Sequence, residues 1–236
     1  MYKKMIAFIV VWTLGLIMFG AYVRLSDAGL GCPDWPGCYG HITPHYAQDS
    51  IRAAQSVNPD GDVTMGKAWK EMLHRYAATI LGLMIIALVV TAWWRKQPKA
   101  LSLALFGVVI VQGIFGALTV TMDTMPLIVT SHLFGGLACF SLALLILFQQ
   151  YPRMLLLDHM MQKHLYTWAF VSFAVVLLQI FLGGWVSTNY AALACLDFPT
   201  CQGSLLGGDK NFSEAFALWT PMHIDEMGDA VSPLSQ

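Results

Sequence analysis

Charge is what this 236-residue sequence has least of. Lys and Arg number 13, Asp and Glu 14, and together they make up 11% of the chain. A water-soluble domain carries about 25%. Twenty-seven charged side chains cannot coat a surface in water, but they suffice for loops between membrane helices. With 57% hydrophobic residues and a mean hydropathy of +0.60, the chain is no disordered segment. The absence of a basic excess, at a net charge of −1, excludes a nucleic-acid binder. Only five cysteines in a chain of this length exclude a small disulfide scaffold. What remains is a polytopic membrane protein of the all-α class.

A transmembrane helix needs about 20 apolar residues. Five stretches free of Asp, Glu, Lys and Arg qualify: 5–23, 76–94, 100–122, 125–150 and 165–190. The first is too long and too rich in Ile, Leu and Phe for a cleaved leader, and reads as a retained helix. The short connections on one side hold Lys3, Lys4, Arg95, Lys96, Lys99, Arg153 and Lys163, with Asp158 as the lone acid; the other side takes the remaining thirteen acids. The excess of Lys and Arg marks the first side as cytoplasmic. The expectation is a bacterial inner (plasma) membrane, an N-terminus inside, and the long loops and C-terminus outside. Four of the five cysteines then face an oxidising compartment, where disulfides persist. Cys139 lies mid-span as a small apolar residue.

The chain also contains a repeat. Residues 20–40 and 183–203 align without a gap at an offset of 163, with nine identities in 21 positions. The identical pairs include Gly20 with Gly183, Cys32 with Cys195, Asp34 with Asp197, Pro36 with Pro199 and Cys38 with Cys201. Each copy leaves one end of a helix and enters a loop, so the units are parallel, each with an even number of spans. The expected organisation is a four-helix transmembrane unit at 1–151 and the start of a second at 152–236. The counterpart of His74 would fall at 237, just past Gln236. On this reading the chain holds one unit and the first helix of another, as a fragment or a natural short form.

Three residues at one entrance carry chemistry. In Glu71-Met72-Leu73-His74-Arg75 the Glu and His stand one helical turn apart. His132, in Val129-Thr130-Ser131-His132-Leu133, lies as far into its span as His74 into its own. At 1.5 Å per residue both imidazoles are expected about 7 Å below the outer helix ends. Two histidines at matched depth on different helices can clamp one metal, and haem is the usual guest. Each alone reads equally well as a polar residue bonded across a helix interface. Gly82, Gly113, Gly116, Gly135 and Gly136 would admit a flat macrocycle, or serve ordinary small-residue packing. Arg75 suits a haem propionate, or snorkels to the headgroups. Gln112 and Gln179 read as interhelical hydrogen-bonding residues. His41, His45, His159, His164 and His223 fall in loops or the tail and read as non-catalytic.

Cys32 and Cys38, like Cys195 and Cys201, are spaced C-x5-C around prolines. That spacing matches neither zinc sites nor thioredoxin-type motifs. It leaves a structural staple and a redox-active pair both open.

In combination these segments resemble the haem A synthase family of cytochrome oxidase assembly. The carrying stretches are Arg24-Leu25-Ser26, Gly29-Leu30-Gly31-Cys32-Pro33-Asp34-Trp35-Pro36, Glu71 to Arg75, Gly116-Ala117-Leu118-Thr119-Val120, Thr130-Ser131-His132-Leu133, and Thr188-Asn189 with Cys195 to Cys201. The resemblance implies two four-helix bundles that oxidise the methyl group of haem O to the formyl group of haem A, with water as the oxygen source. It implies His74 and His132 as iron ligands, Glu71 as the catalytic carboxylate, and Cys32 with Cys38 as a pair linked to haem handling. It further implies a disulfide of Cys195 with Cys201, a haem b in the second bundle, an electron acceptor (quinone or protein), and a haem O synthase as donor. This chain departs in lacking the last three helices, so a lone fifth helix is expected to oligomerise or destabilise it. Two alternatives need less: a bis-histidine haem carrier or b-type cytochrome needs no Glu71, and a thiol–disulfide oxidoreductase needs no haem. Transport fits worst, since no span is visibly broken.

Overall fold

A computed structural model describes residues 2–57, 63–151 and 159–191, with 197, 200, 201, 203, 216, 218, 223, 224, 230 and 231 beyond them. Its helices are α1 (Tyr2–Leu25), α2 (Gln48–Val57), α3 (Met65–Trp94), α4 (Ala100–Thr121), α5 (Pro126–Phe148) and α6 (His159–Thr188). A two-residue antiparallel pair, β1 (His223–Ile224) and β2 (Ala230–Val231), completes the described elements. All but α2 supply a span long and apolar enough to cross a membrane, that of α6 being Lys163–Thr188. The protein is an all-α polytopic membrane protein.

α1 packs against α3 and α5, and α4 packs against the same two helices, so α1, α3, α4 and α5 close into a bundle with α3 and α5 at opposite corners. α3 and α5 start from the same end, the one that carries the loop between α1 and α3. α6 leans on α5, where a Cβ on Gly184 would meet Leu133 at 3.3 Å. The opposite, Lys-rich end is filled by Ile6, Ile9, Ile85, Leu88, Leu105 and Ile146. There the Tyr2 hydroxyl and Ser102 Oγ, both buried, share a hydrogen bond of 3.3 Å.

α3 begins eleven residues before the charge-free stretch starting at Tyr76. Its first turns carry Lys67, Lys70, Glu71 and Arg75, which a charge-free criterion rejects. They remain helical because Thr64 caps the helix, accepting from the Lys67 amide at 3.2 Å, and because the preceding loop packs on them. Counted from the helix starts, His74 stands nine residues in and His132 six, about 14 Å and about 9 Å along their axes. The equal depth of about 7 Å expected below the outer helix ends is corrected accordingly.

The repeat has a structural counterpart where α1 and α6 end. Arg24 Nη2 donates to the Ser187 carbonyl at 2.8 Å, and the Tyr190 hydroxyl to Asp27 at 3.1 Å. Both bonds join residues 163 positions apart, so equivalent points of the two copies meet each other.

Candidate haem site

The loop after α1 forms a small layer on the first turns of α3. Cys32 and Cys38 are joined by a disulfide. Both are fully buried, with Ala47 and Ile51 packing them against Ala68 and Met72. The segment Gln48–Val57 is thus a short helix that apolar runs did not indicate. Gly31 lies so close to α3 that a Cβ there would meet the backbone of Lys67 and Ala68 at 2.7 Å. Only glycine allows that approach. The Asp34 carboxylate ties the loop to itself through the amides of Tyr39 and of Gly40, the latter at 2.8 Å. Tyr39, partly buried beside that carboxylate, has its phenol pKa raised above 10, burial first and Asp34 second.

Two side chains bind this layer to α3. Glu71 is 4% exposed, and its Oε2 accepts from the Cys32 amide at 2.9 Å. Its Oε1 is ion-paired with Arg75 Nη2. Arg75 Nη1 donates to the carbonyls of Asp34 at 2.8 Å, Pro36 at 3.4 Å and Gly37. Arg75 is therefore a clamp on the disulfide loop and on Glu71. In this arrangement Nη1 and Nη2 are turned to the loop and the carboxylate, where the sequence suggested a propionate partner.

His74 and His132 come from the opposite-corner helices α3 and α5. His74 packs on α1, where a Cβ on Gly20 would approach its Cε1 to 2.9 Å and Phe19 meets its ring edge-on at 5.9 Å. His132 faces Gly116 of α4, at 3.6 Å from a built Cβ. Both Nδ1 atoms are buried, and among the described residues neither finds a hydrogen-bond partner. A buried imidazole satisfied across an interface would show such a partner.

The glycines divide. Gly116 lies against His132, Gly136 against Ile17 of α1, and Gly135 against Gln112, whose amide occupies the place of a Cβ. Gly82 and Gly113 face open space. Gly20, which the sequence placed in the repeat but not at the site, makes the tightest approach to a histidine ring; its signal was its identity with Gly183. Gln179 is exposed, and Gln112 Nε2 is buried without a partner among the described residues, so neither shows the interhelical bond expected of it. His45 bonds to Gln48 at 2.9 Å in the loop. Cys201 is disulfide-bonded and Cys139 is free and buried; Cys195 lies outside the described residues.

Among the described residues no group of three or more His, Cys, Asp or Glu could hold a bare metal ion. Two imidazoles whose buried Nδ1 atoms have no partner among the described residues, each set against a glycine, suit a metal that arrives already held in a cofactor ring. The residues present fit a haem.

A family model described as cytochrome oxidase assembly protein, COX15-CtaA, matches residues 3–225. A protein named Heme A synthase from Shewanella oneidensis is 44% identical over 218 residues, covering 90% of this chain and 64% of that protein. Heme A synthases from Alkalihalophilus pseudofirmus and Halalkalibacterium halodurans are each 27% identical, covering 88% and 80% of this chain and 68% and 60% of theirs. The chain thus spans slightly under two thirds of the Shewanella relative it resembles.

Proposed function

Because this chain belongs to the COX15-CtaA family of cytochrome oxidase assembly proteins, we propose that its α1, α3, α4, α5 bundle is the substrate half of a haem A synthase-type oxidoreductase. The reaction converts the methyl group of haem O and one water into the formyl group of haem A, releasing four protons and four electrons. The observation that carries this reading is the pair of imidazoles on opposite-corner helices whose buried Nδ1 atoms find no hydrogen-bond partner among the described residues, with the buried Glu71 carboxylate one turn from His74. Bound between them, the substrate supplies the redox-active iron and the methyl group to be oxidised.

His74 and His132 are the residues that would hold that iron. Glu71, three residues before His74 and so about 4.5 Å nearer the loop end, takes protons from the reacting edge. Arg75 and the Cys32 amide aim its carboxylate, and the clamped loop keeps bulk water from the site. A haem b of a second unit would accept the electrons, with a quinone or protein beyond it and a haem O synthase as the donor of the substrate. Residues 1–151 form the first unit and 152–236 belong to the second, in an inner membrane with the loop end outside. The contact of equivalent residues at the ends of α1 and α6 supports the paired units, and an exposed α6 supports oligomerisation.

The test is a visible spectrum and pyridine haemochrome of the 236-residue chain beside a His74→Ala/His132→Ala double variant. Bound low-spin haem in the first and none in the second is the expected result. A folded, colourless wild-type chain overturns the assignment. Glu71→Gln separates enzyme from carrier: it is expected to bind haem O yet convert it at least about a hundredfold more slowly, the usual worth of a general base. Unchanged conversion in Glu71→Gln would overturn the role given to Glu71, while a wild-type chain that binds haem O and converts none would leave a carrier or b-type cytochrome.

A further inference from the structure

Gln112 is a polar side chain in the middle of an apolar helix, and the chemistry above gives it no task. It stands four residues before Gly116, so both lie on the stripe of α4 that faces His132. Its amide fills the space beside Gly135, three residues deeper along α5 than His132. Any side chain at Gly135 would evict it. The amide therefore lies about one helical turn further from the loop end than the imidazole, toward the apolar cluster. Nε2 is buried there without a hydrogen-bond partner among the described residues. An unpartnered amide is costly in any interior and more so at membrane depth. Such a group is a functional candidate.

We propose that Gln112 is a specificity residue, hydrogen-bonding the hydroxyl group that distinguishes haem O from haem B. The inference rests on the haem O reading above. Both haems carry two propionates, whose charge belongs at the watery loop end. On the edge away from the propionates, haem O bears a hydroxyethylfarnesyl group where haem B bears a vinyl. Its hydroxyl is the neutral polar group of an otherwise apolar edge, and that edge points to the depth of Gln112. A primary amide donates and accepts, so it meets a hydroxyl in either sense. A charged side chain at this depth would suit such a partner poorly, and residues 100–122 carry no acid or base. A site built to bond a hydroxyl rejects an analogue that lacks it.

The experiment titrates the full 236-residue chain, wild type and Gln112→Leu, with haem O and with haem B, reading the Soret band. The preference for haem O over haem B is expected to fall about tenfold in the variant, through weaker haem O binding at unchanged haem B binding. Because the farnesyl chain adds affinity of its own, a deoxy analogue of haem O, which keeps that chain but lacks the hydroxyl, is titrated into the wild type, where a similar loss is expected. An unchanged preference in the variant, equal weakening of both haems, or a deoxy analogue that binds as tightly as haem O overturns the proposal. Should the variant take up neither haem, the deoxy comparison decides alone. A wild-type chain that gives no low-spin spectrum with either haem overturns the haem reading itself, and this inference with it.

Discussion

The two ends of the same four helices are built on opposite rules. At the Lys-rich end, Ile6, Ile9, Ile85, Leu88 and Ile146 close the bundle with apolar side chains. The Tyr2–Ser102 hydrogen bond shows a buried polar pair satisfied there. At the loop end, glycines replace bulky residues, two imidazole Nδ1 atoms lack partners among the described residues, and a carboxylate and guanidinium are covered by a disulfide loop. Apolar burial holds one end together, while the other accepts polar groups that weaken an empty bundle. Sites that bind are commonly assembled from such locally costly arrangements, which the ligand then satisfies.

The comparison is broken most forcefully at Arg75. Arg75→Ala leaves the Glu71 carboxylate buried without its ion pair and three loop carbonyls without a donor. A loss of about 3–5 kcal/mol is expected, the usual cost of removing one partner of a buried pair. The damage should be local, read as proteolytic cleavage within residues 24–64 while the bundle stays helical by circular dichroism. Arg75→Lys keeps the charge but not the planar fork, and should recover part of the loss. At the other end, Ile85→Ala removes a fully buried side chain and should cost about 2–5 kcal/mol, seen as a lower melting temperature of the whole bundle. Its loop should remain protease-resistant up to that melt. If both variants fail in the same way, the two ends are not separable.

Much of this was legible in the residues, and the misses share a cause. The apolar runs located the helices that could cross a membrane, because an uncharged run of that length suits a bilayer far better than water. Spacing placed Glu71, His74 and Arg75 within a turn of one another, because helix geometry is local. What sequence could not show depended on contacts made at a distance. Arg75 reaches carbonyls 38 to 41 residues away, so nothing local distinguishes a loop clamp from a propionate partner. α3 starts early because that same loop covers its charged turns. The helix Gln48–Val57 gains its stability by burying Ile51 on the disulfide layer, not from any long apolar run. Gln112 read as an interhelical bond because a sequence shows that a group is polar, not whether a partner awaits it.

A smaller effect probes where the two copies of the repeat meet. The Tyr190 hydroxyl accepts from Arg24 at 2.8 Å and donates to Asp27 at 3.1 Å. Tyr190→Phe should cost about 1 kcal/mol, the worth of an ordinary hydrogen bond. Burial raises the pKa of this phenol above its ordinary 10, with Arg24 opposing and Asp27 adding to the shift. The folded chain therefore holds the proton more tightly than the unfolded one. That contribution is complete below about pH 10 and is lost as pH rises through the raised value. A melting series across that window should show the wild type converging on Tyr190→Phe. Parallel curves would mean the phenol does not sense the contact.

The smallest expected change in stability belongs to the most consequential residue. In the haem-free chain, His132→Ala alters two terms of opposite sign. Removing the ring leaves a cavity against Gly116, at about 24 cal/mol per Å³. It also removes a buried nitrogen that has no hydrogen bond among the described residues, which relieves about 1–3 kcal/mol. The terms nearly cancel, so the melting temperature without haem should move by only a few degrees in either direction. Added haem should then raise the melt of the wild type and leave that of the variant where it was, because only the former gains free energy by binding. A large loss of stability in the haem-free variant would instead show that His132 holds the empty bundle together. The loop end would then obey the same packing rule as the Lys-rich end, and its orphaned imidazoles would no longer mark a site.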